Sequence, residues 1–472
     1  MGASRSLGDR TLPWIGLAVL GAALCAWLAY ENPRYLLDLG LVSGVVFAFT
    51  QWPWLILLGV LATMSVDNQT LELAVLIGGG VAVLTGGRSA LRSVTAAALF
   101  VLLVIAAWRL PLTPTYYDAV KPPELYLPFV GKAYLGQPSE AAIQWWRLAF
   151  LLVSLCLGGW LIRDRMRLRW AVTAILVGSL YPIGDGLRQY AAGELVTRSG
   201  STTRAVEGPF SFPNYFGFYL LGVIVVGLVA LVETKSLRWR LAIGALLVAA
   251  LTCLVLTYTR SAWIGFAAAL AILGILRYRW LIPIGLVGVV LAFFAFPKAV
   301  DDVGNRFSDL SAQSPTHSTS SWVWRTGQWK RMIPRGMEHP LAGTGFGTYE
   351  AETVREFGAE TPEYLTLPKD HNAQKGFTAH NDYVRMLVEL GIPGVTLWAL
   401  ALLALLATAL RAMRAPGVRS WAAGVAALDA AMIGISFADN AQGYTMDLLI
   451  PFVLTAGVAT VARNERATSL PA

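Results

Sequence analysis

Charged side chains are scarce in this sequence: only 14% of its 472 residues are Asp, Glu, Lys or Arg, whereas 56% are hydrophobic. Such a chain has too little polar side chain to cover a water-soluble globule, which argues against a soluble enzyme or binding protein. Cysteine is also rare, and each of the three lies inside an apolar stretch, as expected of small buried thiols. The composition therefore predicts a protein embedded in a membrane.

Apolar stretches that approach or reach the length of a membrane span recur along the whole sequence. They predict an all-α, polytopic membrane fold with about 12 to 14 transmembrane helices, given about 20 residues per span. The count is loose at residues 35–86, where Pro53 and the Gly78–Gly80 run interrupt the pattern without dividing it. The predicted spans are 13–30, 35–50, 53–65, 70–86, 93–109, 144–162, 169–190, 211–232, 239–257, 261–276, 280–298, 382–410, 420–437 and 446–462.

Basic residues concentrate in short connections that alternate with the apolar stretches. The positive-inside rule places such connections, and both basic termini, in the cytoplasm. The net charge of +8 is then explained by topology and by anionic lipid, so no nucleic-acid partner is expected. The connections carry Arg88 and Arg92; Arg163, Arg165, Arg167 and Arg169; Lys235, Arg238 and Arg240; Arg277 and Arg279; Arg411, Arg414 and Arg419.

The remaining connections are predicted to face outward. Residues 1–472 would form a single polytopic membrane domain, within which 299–381 is a large extracytoplasmic loop containing short helices. This loop holds all four histidines of the chain. The other outward segments are 110–143, 191–210, 258–261 and 439–445.

Two outward segments present arginines beside the start of a span. In RSGSTTRAVEGPFSFPN (198–214), Arg204 precedes a span for which Asn214 is a plausible cap. In TYTRSAW (257–263), the turn is so short that Arg260 must lie close to the bilayer surface. A guanidinium offers a planar fork of donors that suits a phosphate, and the short turn makes Arg260 the sharper candidate; contact with lipid headgroups is the alternative for both arginines.

Two further motifs lie in the long loop. WVWRTGQWKRMIPRG (322–336) predicts a short amphipathic helix that ends at Pro334, anchors the loop in the membrane plane and carries Arg325 at the edge of its apolar face. HPLAGTGFGTYE (339–350) lacks the spacing of a nucleotide-binding loop. Its glycines predict a compact turn with unusual backbone angles or a close approach to substrate.

His380 begins the segment HNDYVRMLVELGIPG (380–394). Asn381 or Asp382 can cap the helix that follows, and Asp382 suits its positive end. Nothing local explains the histidine, and a neutral imidazole at the membrane surface can accept a proton from a sugar hydroxyl, although a solvated boundary histidine is the simpler alternative.

Acidic residues inside predicted spans should face a polar cavity or a basic partner, because burying a lone charge is unfavourable. They are Glu389, Asp429 and Asp185. Arg385 lies four residues before Glu389 and can pair with it.

Together these motifs resemble the superfamily of O-antigen ligases and O-antigen polymerases, which are multi-spanning glycosyltransferases that use lipid-diphosphate-linked glycans. The resemblance rests on RAVEGPFSFPN, TYTRSAW, HPLAGTGFGTYE and HNDYVRMLVELGIPG, in that order, and covers roughly residues 200–395.

The resemblance implies a bacterial inner-membrane enzyme with both termini in the cytoplasm and its active site on the periplasmic or extracellular face. A glycan on undecaprenyl diphosphate would be the donor, a glycan or glycolipid the acceptor, and neither metal nor other cofactor would be required. Carried over residue by residue, His380 would be the general base, Arg204 and Arg260 would hold the diphosphate, and Arg325 is a further candidate for the same role.

One departure from the resemblance leaves alternatives open. Some ligases have a second histidine before the one matched by His380, whereas this chain has Ala379. This difference weakens the ligase hypothesis against the polymerase one. A ligase moving the glycan to a distinct acceptor stays the first hypothesis, and a polymerase joining lipid-linked repeat units is the second. A transporter of lipid-linked sugars, suggested by the many spans and by Asp429 and Glu389, is the third.

Overall fold

The computed structural model describes 13 stretches: residues 40, 43–44, 47–48, 51–65, 69–110, 125–127, 131–133, 140–197, 204–283, 285, 321–357, 378–440 and 445–469. The predicted spans 13–30 and most of 35–50 and 280–298 lie outside these residues, as do His317 and His371. The predicted count of 12 to 14 spans stays a prediction for this reason.

The described chain is mostly helical, as predicted. Its helices are α1 Pro53–Thr63, α2 Gln69–Gly86, α3 Val94–Trp108, α4 Glu140–Leu161, α5 Arg165–Gly178, α6 Leu180–Ala192, α7 Pro213–Glu233, α8 Leu237–Leu256, α9 Arg260–Leu276, α10 Ser321–Met337, α11 Tyr349–Phe357, α12 Asp382–Ala412, α13 Arg419–Ala438 and α14 Thr445–Ser469. Two small antiparallel hairpins pair β1 Leu125–Leu127 with β2 Gly131–Ala133, and β3 Val196–Thr197 with β4 Arg204–Ala205.

Seven segments of this described set are long and apolar enough to cross a membrane. α5 and α6 together form one of them, Arg165–Ala192, and shorter apolar helices include α1, α3 and α9. α7 is apolar on every face and is buried over most of its length, which identifies it as the centre of the bundle. α8 is largely exposed to the outside of the bundle.

α7 packs against α8, α9 and α13, while α12 lies between α3, α13 and α14. α4 packs along α14. Because α12 ends and α13 begins across one short turn, the two helices run antiparallel. The end of α13 and the start of α12 therefore lie at the same end of the bundle.

Basic connections from distant parts of the sequence meet at the other end. Arg165 pairs with Glu465 at 2.5 Å, and the Nη2 of Arg466 donates to the carbonyl of Arg411 at 3.2 Å. The Nε of Arg277 donates to the Oγ of Ser420 at 3.1 Å. These contacts bring three of the predicted cytoplasmic connections and the end of α14 together, and their cytoplasmic side stays a prediction.

The motif at 339–350 forms a compact turn, as predicted, with positive φ at Gly343, Gly345 and Gly347. Its close approach is to the backbone of α12: the amide of Gly345 donates to the carbonyl of Glu389 at 3.0 Å, and a Cβ on Gly343 would lie 2.3 Å from the carbonyl carbon of Glu389. The glycines are required by this contact between chain segments.

α12 is broken at Gly391, which adopts φ 69° and ψ −162°. A Cβ at this position would lie 2.3 Å from the carbonyl oxygen of Pro340, so the turn at 339–348 passes directly against the break. The predicted span 382–410 corresponds to the membrane-length segment Asp382–Ala412, within which the glycine turn packs against the break at Gly391.

α10 also departs from prediction. Pro334 does not end the helix, which continues to Met337, because a proline in the last turn removes only one amide donor. Trp329 does not serve as a membrane anchor, because its side chain is buried inside the protein. Its ring packs edge-on against that of Phe437, with 5.9 Å between the ring centroids. This part of α10 packs on α12 and the end of α13.

Candidate active site

His380 and Asp439 form a hydrogen-bonded pair at the end of the bundle opposite the basic connections. The Nδ1 of His380 lies 3.2 Å from the Oδ1 of Asp439. Asp439 follows the last residue of α13 and is 1% exposed, whereas the side chain of His380 is 24% exposed and reaches the surface of the site. The pair thus joins a buried anion to an accessible imidazole.

The carboxyl of Asp439 is held in its ionised form. Burial by itself would raise its pKa, but the hydrogen bond and charge of His380, the charge of Arg325 and the amide of Asn440 outweigh burial and lower the pKa to about 2. An ionised carboxylate only accepts hydrogen bonds, so the Nδ1 of His380 carries the proton. In the neutral ring, Nε2 is then the nitrogen that accepts a proton.

Asn214 extends the pair to a second carboxylate oxygen and to a third element. Its Nδ2 donates to the Oδ2 of Asp439 at 2.9 Å, and its Oδ1 accepts from the hydroxyl of Thr259 at 3.3 Å. Thr259 is the residue before α9, so Arg260 opens that helix directly beside the network. The prediction that Asn214 caps α7 was wrong: the helix begins at Pro213, and Asn214 faces Asp439 from its first turn.

Arg325 and Trp329 of α10 contact the two chain segments that carry His380 and Asp439. The Nη1 of Arg325 donates to the carbonyl of Ala438, the residue before Asp439. The Nε1 of Trp329 donates to the carbonyl of Ala379, the residue before His380, at 2.7 Å. One helical turn of the long loop therefore bridges α13 and the start of α12.

Arg204 lies near this end of the bundle but outside the network. Its strand leads into Val206, whose amide donates to the carbonyl of Leu256 at the end of α8, three residues before Thr259. The exposed side chain of Arg204 donates to the carbonyl of Gly193 at 3.4 Å. The structure thus brings His380, Arg325 and the start of α9 together, with Arg204 alongside them.

The backbone around His380 is tightly specified. His380 adopts φ 46°, a left-handed conformation that is uncommon for residues other than glycine. Asn381 caps α12, as predicted, and accepts from the amides of Tyr383 and Val384 at 2.9 and 3.1 Å. The amide of Asn381 donates in turn to the Oδ1 of Asn440 at 3.2 Å. These bonds lock the turn that orients the imidazole.

The acidic residues of the predicted spans have local partners. Arg385 pairs with Glu389 at 3.2 Å, as predicted, and the same carboxylate oxygen accepts from the amide of Tyr349 at 3.2 Å. Asp185 pairs with Arg188 at 2.9 Å, as predicted. Asp429 accepts from the hydroxyl of Thr455 at 2.9 Å, not from a cation. The acidic residues that suggested a transporter thus take part in contacts within the fold.

Asp439 and Asn214 were not identified from the sequence as site residues. Asp439 stands in a short outward segment after a span, and Asn214 was interpreted as a cap. The available signal was that both lie on the same predicted side of the membrane as His380. The contacts themselves are long-range: His380 and Asp439 are separated by 59 positions in the sequence, and Asn214 and Asp439 by 225.

The fold and this polar network define a multi-pass membrane protein with a histidine–carboxylate pair at one end of its helical bundle. Residues 245–399 match the model of the O-antigen ligase family. The match runs from α8 into α12 and confirms the resemblance to the O-antigen ligase and polymerase superfamily. It supports a glycan-transferring enzyme of the inner membrane, with a lipid-linked glycan donor and a glycan acceptor. No curated protein matches the chain.

Proposed function

We propose that this protein transfers an oligo- or polysaccharide from a polyprenyl-diphosphate-linked donor to a hydroxyl of an acceptor sugar. The reaction takes place at the outer face of the cytoplasmic membrane, because the basic connections at the opposite end of the bundle mark the cytoplasmic side. The observation that carries the proposal is the His380–Asp439 pair, linked through Asn214 to the start of α9 and bordered by Arg325. His380 lies within the family match.

In the proposed reaction, the Nε2 of neutral His380 takes the proton of the acceptor hydroxyl. The hydroxyl oxygen forms a bond with the anomeric carbon of the donor, and the bond from that carbon to the diphosphate breaks. Asp439 keeps the acceptor lone pair on Nε2 and stabilises the imidazolium that forms. General base catalysis of this kind contributes about 10²- to 10⁴-fold in rate.

The departing lipid diphosphate carries the negative charge that develops in the transition state. Arg260 lies at the positive end of α9, where both the guanidinium and the helix favour an anion. Arg325 adds positive charge beside Asp439, while the exposed Arg204 lies outside the network and bonds to Gly193. Cations fixed before the reaction stabilise this charge more than they stabilise the bound donor, so the proposed chemistry needs no metal ion.

Purified protein tests the proposal when it is supplied with lipid-linked donor, a distinct acceptor glycan and excess chelator. Wild-type protein is expected to form the transfer product, and the folded His380→Ala variant is expected to form none. Full activity of that variant would remove the proposed base, and strict dependence on an added divalent ion would overturn metal independence.

Polymerisation is the second candidate, favoured by Ala379 in the position where some ligases have a further histidine. The same His380–Asp439 pair would then activate a hydroxyl on a second lipid-linked glycan. A ladder of repeat multiples made from donor alone identifies a polymerase, whereas a single addition to a distinct acceptor identifies a ligase. Gel analysis of the products distinguishes these outcomes.

A further inference from the structure

An open cavity of about 530 Å³ lies at the end of the bundle opposite His380. Its lining consists of Arg277, Met413, Arg414, Pro416 and Arg419. α13 begins at Arg419 and ends one residue before Asp439, so its length of roughly 30 Å separates the cavity from the candidate active site. The cavity is therefore a distinct feature.

Three separate elements supply the arginines of this cavity. Arg277 follows α9, Arg414 follows α12, and Arg419 starts α13. Arg277 is oriented by its bond to the Oγ of Ser420 at 3.1 Å and by the ring of Tyr278, 5.3 Å from the guanidinium. Arginines from three elements thus line one cavity.

Positive charge in the cavity is not neutralised by neighbouring acids. Among the described residues, none of the three lining arginines has a carboxylate oxygen within the 4.0 Å of an ion pair. The nearby carboxylate of Glu233 accepts a hydrogen bond from the hydroxyl of Tyr278 at 3.4 Å. A fourth guanidinium, that of Arg165, lies against Gly417 and is already paired with Glu465.

The start of α13 adds to the attraction for an anion. Val418 precedes the helix without a side-chain cap, and the first turn contains no acidic residue. The amide of Arg419 itself donates to the carbonyl of Pro416, so the start of α13 contributes the positive end of its helix dipole beside the arginines. Three arginines beside the positive end of a helix suit a phosphate group.

The surroundings favour a phosphate that belongs to a lipid. Ile275 of α9 and Leu410 of α12, which precede the lining residues Arg277 and Met413 by one helical turn or less, expose large apolar side chains. Met413 and Pro416 give the cavity an apolar portion. We propose that this cavity binds the phosphate headgroup of an anionic phospholipid, with the acyl chains lying along α9 and α12.

Native mass spectrometry of the full-length protein in detergent tests this proposal independently of the transferase activity. Cardiolipin and phosphatidylcholine serve as the anionic and zwitterionic probes. The R414Q/R419Q double variant removes two lining guanidiniums and leaves Arg277 on Ser420. The R238Q/R240Q double variant is the matched control, because it removes the same charge from the start of α8, outside the cavity.

Wild type and the control are expected to retain cardiolipin, whereas the lining variant should bind it at least about tenfold more weakly, because it lacks charge-assisted hydrogen bonds. Equal retention by all three proteins would overturn the proposal. Equal loss in both double variants would also overturn it, since general attraction to basic residues would then explain binding.

Thermal unfolding of wild-type protein gives a second test that needs no variant. Cardiolipin should raise the unfolding temperature more than phosphatidylcholine does, and the absence of that difference would contradict the proposed site. An equal rise with inorganic phosphate alone would overturn the lipid assignment and identify a soluble phosphate as the ligand.

Discussion

The carboxylate of Asp439 lies 3.2 Å from the Nδ1 of His380, although the two residues adjoin different helices of the bundle. Asp439 directly follows α13, and His380 stands two residues before α12. Packing between α12 and α13 therefore decides the geometry of the pair. A proposed base that is oriented by a buried anion is sensitive to changes at both helices.

Asp439→Asn is expected to reduce kcat by about 10²- to 10⁴-fold, because the amide no longer keeps the proton on the Nδ1 of His380. Asp429→Asn is the matched control: Asp429 is also buried in α13, but its partner is Thr455. Steady-state kinetics of both folded variants checks this prediction. Equal effects of the two substitutions would indicate a structural role for Asp439.

Stability should respond to pH through Asp439. Its folded pKa, about 2, lies below the ordinary value of 3.8, so its ionisation stabilises the native state above pH 3.8 and this contribution is lost as the pH falls to about 2. The difference in unfolding temperature between wild type and Asp439→Asn should therefore shrink across this range. A constant difference, measured by thermal unfolding in detergent, would contradict the proposed ion pair.

Trp329→Phe is expected to lower kcat by about three- to tenfold while leaving KM for the donor unchanged. The substitution removes the bond of 2.7 Å to the carbonyl of Ala379, which holds the turn before His380. Trp145→Phe removes a similar bond, 2.9 Å long, to the carbonyl of Leu103 in α3, which is outside the hydrogen-bond network of His380. Comparable loss of kcat in both variants would attribute the effect to general destabilisation.

Arg260→Gln should lower kcat/KM for the donor by about 10- to 150-fold, the value of one hydrogen bond to a charged group. Arg279→Gln removes the same charge beyond the far end of α9 and should leave kcat/KM near the wild-type value. A smaller effect in the same direction is expected for Arg204→Gln, because this exposed side chain bonds to Gly193. Kinetics with varied donor concentration checks this order of effects. An Arg260→Gln variant with the same kcat/KM as Arg279→Gln would contradict the proposed role of Arg260.

Gly343→Ala is expected to destabilise the protein by more than about 3 kcal/mol, since φ is 62° and the added Cβ would overlap the backbone of Glu389. Gly327→Ala, in the same loop of residues 299–381, is expected to have the opposite effect and to stabilise the protein. Its Cβ meets no atom within 4 Å, and alanine should stabilise α10 by about 0.5–1 kcal/mol. Thermal unfolding of both variants measures the contrast, and similar effects would contradict the packing of the turn on α12.

Local chemistry made several of these features predictable from the sequence. The spacing of Arg385 and Glu389 places both on one helical face, and Asn381 is a favoured capping residue. Hydrophobic length and basic connections were enough to predict a helical membrane fold whose basic loops share one end. Each of these inferences depends on residues close in sequence or on composition.

Features that depend on tertiary packing were missed. Asp439 and Asn214 acquire a role only because α7, α12 and α13 meet at one end of the bundle, and no periodicity encodes that meeting. The break at Gly391 was missed for the same reason, because the backbone that fills it comes from Pro340. Glycine, proline and asparagine have several structural uses, and only the neighbouring segments select among them.

The break at Gly391 divides α12 into a short stub and a membrane-crossing rod. Residues 392–412 extend for roughly 31 Å, enough to cross the hydrocarbon layer, while Asp382–Leu390 is clamped by the glycine turn. A bilayer that thickens or thins should therefore change the tilt of the rod first. His380, which precedes the short segment Asp382–Leu390, would therefore keep its orientation in membranes of different lipid composition.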